Sequence, residues 1–243
     1  MRLASSSNFR PVGDALTGQP LRNLYRSDHL GALDAGDAAA IRALGIARVL
    51  DFRGVNERIA AVCRLPDVIV HSLPIEPTIV QKLSEVLAAG QSLSGADVTA
   101  YMQDTYRGFV RHHTPRFAEF FAHLLESDQP TVFHCTAGKD RTGFAAALLL
   151  KAVGASDEDV MRDYLLTNER LQLPAESRMG LPREAMEVLW RVQPAFLQAA
   201  FAEVDRSYGS LEGYFADGLR LRAKEREHLR NTYGGTASAA VRA

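Results

Sequence analysis

Thr131-Val132-Phe133-His134-Cys135-Thr136-Ala137-Gly138-Lys139-Asp140-Arg141-Thr142-Gly143 decides how this chain folds. Thr131 to Phe133 is a short β-prone apolar run and predicts a buried strand. From Arg141 to Val153 the residues are helix-forming and mainly apolar, and Gly154 closes them as a helix end. Between strand and helix lies a tight polar turn. In that setting backbone N–H groups converge on an anion, and the helix N-terminus adds partial positive charge.

Cys135 sits at the bottom of this turn and Arg141 six positions later. The thiolate is the nucleophilic form of cysteine, and both a helix N-terminus and a nearby guanidinium favour it. The planar fork of Arg141 suits two phosphate oxygens at once. The spacing thus predicts an activated nucleophile in a cup made by Thr136, Ala137, Gly138, Lys139, Asp140 and Arg141, with Arg141 as clamp. Sulfur attack on phosphorus requires in-line placement and stabilised equatorial oxygens. Thr142 is placed to donate to the sulfur, Gly138 and Gly143 permit close backbone approach, and His134 is a candidate to orient the loop. For the proton that a leaving alkoxide or phenolate needs, Asp140 is the first candidate, Glu76 the second and Asp51 the third. The other cysteine gives an internal control, because the position six after Cys63 is Ile69 and not arginine. A nucleotide-binding Gly-rich loop is set aside: Asp140 follows Gly138-Lys139 where Ser or Thr is needed, and Phe133 stands at the first glycine position.

Outward from this segment, helix and strand alternate. Leu24 to Ser27 predicts a strand, with a turn at Asp28 to Gly31. Asp34 caps a helix to about Leu44, and Gly45 ends it. Ile46 to Phe52 and Val68 to Leu73 read as strands, the latter stopped by Pro74 and Pro77. Lys82 to Ala89 predicts a helix, Gly90 to Gly95 a polar loop, and Ala96 to His112 a further helix. Thr114-Pro115 reads as a new helix start, and Ser156 as another, running to about Asn168. Arg183 to Asp205 predicts one helix despite Pro194, followed by helices over Ser210 to Phe215 and Gly218 to Tyr233. This is one α/β domain over residues 1–233, a mainly parallel central sheet flanked by helices and helix-rich at its C-terminal end. The small-residue tail 234–243 is expected to be disordered.

The chain has 243 residues, 47% of them hydrophobic, with a formal net charge of −1. That balance excludes a general polyanion binder, so no nucleic-acid partner is expected and phosphate affinity must be local. Two cysteines do not make a disulfide framework. With no signal-like N-terminus and no membrane-length apolar run, a cytoplasmic protein without an integral membrane segment is expected; signal-independent export is compatible with the same features.

The loop His134-Cys135-Thr136-Ala137-Gly138-Lys139-Asp140-Arg141-Thr142-Gly143 resembles that of the protein-tyrosine phosphatase superfamily, in particular its bacterial tyrosine and phosphoinositide phosphatases. Asn8-Phe9-Arg10 resembles that family's N-terminal signature, with Pro11 in place of an aspartate. Leu24-Tyr25-Arg26-Ser27-Asp28 resembles its Tyr-Arg-Ser segment, and Asp51-Phe52-Arg53 with Glu57 its Asp-Leu-Arg…Glu segment. Asp163 to Leu166 and Tyr208-Gly209-Ser210 fit its C-terminal helices. The resemblance implies the cysteine-phosphatase fold, with Cys135 as nucleophile, Arg141 as phosphate clamp, Asp140 as general acid and no metal or cofactor. Lys139 matches a lysine linked to inositol-type substrates. The implied substrate is a phosphorylated protein, phosphotyrosine first, with phosphoinositide or dual-specificity action as the alternative. An inactive phosphate-binding module and a sulfur-transfer or arsenate-reducing enzyme, with Cys63 as resolving thiol, are the rivals from other classes. Arg53 and Glu57 are expected to pair with each other, Arg26 and Asp28 to serve the turn and its packing, and His112 and His113 to be solvated. Residues 78–95 and 171–182 are candidates for a lid.

Overall fold

The computed structural model describes residues 3–76, 78–90, 92–171 and 180–234. Among the described residues five strands form one sheet: β1 (Arg10–Pro11), β2 (Leu24–Ser27), β3 (Arg48–Asp51), β4 (Ile69–Ser72) and β5 (Thr131–His134), in the order β1-β2-β5-β3-β4. β2, β5, β3 and β4 run parallel, and only β1 is antiparallel to its neighbour. The register sets Ser27, His134, Asp51 and Ser72 in one row across the carboxyl ends of the parallel strands. That edge is where ligands enter an open α/β sheet.

Alternation along the strands sends side chains to two cores. Val49 and Val132 join Phe9, Leu30, Ile41 and Leu65 on one face of the sheet. Leu50 and Phe133 join Phe52, Phe117, Phe120 and Phe144 on the other. The first face is covered by α1 (Ala35–Arg42), capped by Asp34 and ended by Gly45 at φ +71°. α2 (Val55–Ala60), a short helix the sequence pattern does not predict, follows β3, and α3 (Thr78–Ala88) follows β4. The second face packs against α4 (Gly95–Glu126) and α5 (Asp140–Ala152). Then come α6 (Asp157–Leu165), α7 (Thr167–Arg170), α8 (Arg183–Trp190), α9 (Pro194–Tyr208), α10 (Leu211–Gly213) and α11 (Ala223–Tyr233).

Two prolines behave opposite to the sequence reading. α4 is continuous through Pro115, where two helices are predicted. Proline removes one helical donor, yet both halves of α4 bury a single stripe including Tyr106, Phe109, Phe117 and Phe121, which holds the helix together across it. At Pro194 the predicted single helix splits: Gln193 is extended, as a residue before proline prefers, and Pro194 starts α9. The predicted last helix also begins later, at Ala223, after a π-turn over Tyr214–Gly218. The lid candidate at 171–182 and the expected tail at 234–243 fall largely on 172–179 and 235–243, outside the described residues. Among the described residues no helix is long and apolar enough to cross a membrane.

Candidate active site

Residues 135–139 cross from the end of β5 to the start of α5. Gly138 makes the turn possible. It has φ +64°, and a Cβ there would lie 2.2 Å from Ser27 O. The loop's carbonyls all turn outward to donors. Cys135 O accepts from His134 Nδ1 at 2.9 Å, and Thr136 O from the His29 N–H at 2.9 Å. Asn8 Nδ2 donates to Ala137 O and Gly138 O, both at 2.9 Å, Arg26 Nη2 to Gly138 O at 3.1 Å, and the Gly143 N–H to Lys139 O at 2.9 Å. Among the described residues the N–H groups of 136–141 make no hydrogen bond. With every carbonyl drawn away, these donors are left to an anion at the head of α5. Cys135, 2% exposed, is the first residue of this loop.

Arg141 lies in the first turn of α5, almost fully buried. Its Nη1 donates to Glu57 Oε2 at 2.7 Å and Ile75 O at 2.8 Å, and its Nη2 to Glu57 Oε1 at 2.9 Å. The end of the guanidinium fork is thus fixed, whereas among the described residues its Nε–H makes no hydrogen bond and Nη2 bonds only Glu57. That lateral edge is a second fork suited to two oxygens. Burial alone would weaken the cation, but Glu57's hydrogen bonds, negative charge at Cys135 and the Glu57 and Asp140 charges raise it above the ordinary arginine value. Glu57 is affected reciprocally. Burial pushes its carboxyl up, yet Arg141, Thr136 and the Gly54 N–H hold it down at about 2.

The Arg53–Glu57 pair expected from sequence is therefore replaced. Arg53 binds Asp51 instead, Nη2 to Oδ2 at 2.7 Å and Nε to Oδ1 at 3.0 Å. The signal for Glu57 was its place at the third position of α2, where its carboxylate also caps the Gly54 N–H at 2.8 Å. Asp51, 1% exposed and locked by Arg53, is buried beneath the loop and has no path to a leaving group, which removes it as an acid. His134 is fully buried, which lowers its pKa. Since a carbonyl only accepts, Nδ1 carries the proton it donates to Cys135 O.

Asp140 remains at the mouth. Its Oδ1 accepts from the Tyr106 hydroxyl at 3.0 Å, its Oδ2 lies 3.3 Å from Lys139 Nζ, and its side chain is 24% exposed. Glu76, also exposed, accepts the Val55 N–H at 3.1 Å and borders a cavity of about 240 Å³ with Ile79, Tyr101 and His113. His113 is half-buried there rather than solvated, and burial lowers its pKa. One expected contact is absent, and one side chain has partners the sequence did not suggest. The Thr142 hydroxyl is buried without a hydrogen-bond partner among the described residues, so it does not bond the sulfur. The Lys139 ammonium is taken by Leu189 O at 2.5 Å and by Asp140, because the last turn of α8 offers it a negative helix end.

Sequence reasoning missed the strap behind the loop. Arg26, wholly buried, packs as expected but also pairs with Asp163 at 2.9 Å and holds Gly138 O at 3.1 Å. Arg10 bonds the Asn8 side chain and Thr167 Oγ1. Pro11 does not disturb this, since β1 is a two-residue edge strand.

The chain is 34% identical to the triple specificity protein phosphatase PtpB of Mycobacterium tuberculosis, covering 88% of this chain and 92% of that protein. It is 28% identical to a tyrosine-protein phosphatase of Nostoc commune over 70% of this chain and 54% of that one. Among solved structures, the core catalytic domain of the PP-IP phosphatase SIW14 from S. cerevisiae aligns with 82% of this chain and 93% of its own, at 12% identity and a TM-score of 0.42. The tyrosine phosphatase family matches residues 1–234, essentially the whole length over which the loop, its strap and its helical cover are assembled, and the chain belongs to that family.

Proposed function

We propose that this cysteine-dependent phosphatase hydrolyses its phosphomonoesters in the cup of residues 135–141, through a phosphocysteine on Cys135, with phosphotyrosyl protein as first substrate. The outward turn of every carbonyl from 135 to 139 carries the reading. It leaves a ring of N–H donors, closed by the free edge of Arg141, that matches the equatorial oxygens of a phosphoryl group in transfer. The Cys135 thiolate attacks phosphorus in line. As the phosphorus–oxygen bond breaks, the leaving oxygen takes a proton from Asp140, and the resulting carboxylate then takes one from the water that displaces the sulfur. Glu57 keeps Arg141 in register, and Asp51, Arg53, His134, Asn8 and Arg26 hold the loop from behind. The relative with triple specificity in its name supports a site that accepts more than one phosphoester class. Lys139, held by α8, gives inositol substrates no direct cation, which keeps them second.

The test is turnover of p-nitrophenyl phosphate, phosphopeptides and phosphoinositides by wild type and Cys135→Ser. Loss of all turnover in the variant, with a phosphoenzyme trapped from wild type only, is expected. Turnover that survives the substitution removes Cys135 as nucleophile, and a wild type that binds phosphate without turnover makes the protein a binding module.

A further inference from the structure

A chain of buried hydroxyls reaches Asp140 from behind. Tyr106, on α4, donates to Asp140 Oδ1 at 3.0 Å, and its oxygen lies 2.7 Å from the Tyr164 hydroxyl on α6. A phenol has one proton. Since that of Tyr106 goes to Asp140, the proton between the phenols belongs to Tyr164. The chain therefore has a single polarity, Tyr164 to Tyr106 to Asp140. Both rings are buried and fixed, Tyr106 against Phe109 and Phe196 at centroid distances of 5.0 and 5.8 Å and edge-on to Tyr164. Burial, then the charge of Asp140, pushes both phenols well above their ordinary range, so both stay protonated. Gly143 leaves the space in which Tyr164 lies, since a Cβ there would come within 3.1 Å of its ring.

We propose that Tyr106 is a positioning residue for proton transfer by Asp140, and that Tyr164 fixes Tyr106 in turn. This rests on Asp140 as the acid. The bond to Oδ1 holds one carboxyl rotamer, so that Oδ2, 3.3 Å from Lys139 Nζ, is the oxygen that carries the proton. When that proton passes to the leaving oxygen, Asp140 becomes a carboxylate, and the Tyr106 bond strengthens because its acceptor is now charged.

The experiment compares p-nitrophenyl phosphate with phenyl phosphate, a good and a poor leaving group, in Tyr106→Phe, Tyr164→Phe, Asp140→Asn and the Tyr106→Phe/Asp140→Asn double variant. Tyr106→Phe keeps the ring and its packing. It should lower kcat for phenyl phosphate about tenfold more than for p-nitrophenyl phosphate, a part of the full general-acid effect, with KM unchanged. Tyr164→Phe should shift the same ratio by less. Added to Asp140→Asn, Tyr106→Phe should change nothing further. If Asp140→Asn discriminates between leaving groups and Tyr106→Phe does not, or if the two effects multiply, the positioning role falls and the acid stands. If Asp140→Asn slows both substrates equally, the acid reading falls and the positioning role falls with it.

Discussion

The Arg141–Glu57 pair shows how a single carboxylate can set the geometry of the arginine proposed as the phosphate clamp. Both partners are largely buried, and the bidentate contact leaves the guanidinium one free edge. Glu57→Gln replaces one acceptor oxygen with a donor that faces Arg141, so the fork loses its register. A misplacement of this kind in a phosphate clamp lowers kcat/KM by about a hundredfold. Steady-state kinetics and inorganic phosphate inhibition, measured together, check it, and unchanged inhibition would assign the loss to something other than the clamp. The same carboxyl makes stability pH-dependent. Its folded pKa, about 2, lies below the ordinary 4.5, so the unfolded chain binds more protons between those values. Its stabilisation is complete above the upper value and lost as pH falls through the lower one. The difference in melting temperature between wild type and Glu57→Gln should accordingly shrink on acidification across that window. Glycine at 138 and the cysteine–arginine spacing were legible in the sequence because each is tied to local backbone. The partner of Arg141 was not, because Glu57 reaches it from a helix 84 positions away.

Helix boundaries were read well where a cap or a glycine marks them, as at Asp34 and Ser156. They were misread where tertiary packing overrides a local signal. Pro115 looked like a start, yet the aromatic stripe of α4 continues across it into the core. Pro194 looked tolerable, yet a residue before proline favours extended backbone, and Gln193 takes it. The Thr114 hydroxyl serves two neighbours, Val110 O at 2.7 Å and the Tyr214 hydroxyl at 3.1 Å. Thr114→Val keeps the shape but leaves a buried phenol short of a partner. It should cost about 1–3 kcal/mol of stability by denaturant unfolding, with kcat of the folded enzyme unchanged. A loss of activity at full stability would instead mean that α4 transmits its geometry to Asp140 through Tyr106.

Across the whole molecule, the sheet brings together segments that are far apart in sequence, and the cup depends on their convergence more than on the loop alone. The row Ser27, His134, Asp51 and Ser72 puts the loop at the carboxyl edge, and Asn8 reaches it from the N-terminal segment at a separation of 130 positions. One amide of Asn8 turns two carbonyls, Ala137 O and Gly138 O, away from the cup. In Asn8→Ala those carbonyls lose that donor, although Gly138 O keeps Arg26. Free to rotate, Ala137 O can point its negative end at the bound anion where an N–H should be. The core beneath, and the buried Arg26–Asp163 pair, remain in place. The expected result is a rise of about tenfold in both KM and the inhibition constant for inorganic phosphate, from roughly one lost charge-assisted hydrogen bond. The melting temperature should fall by only a few degrees, on the order expected for about 1 kcal/mol. A large fall in melting temperature with unchanged phosphate inhibition would make Asn8 a tie of the N-terminus alone and not a shaper of the cup.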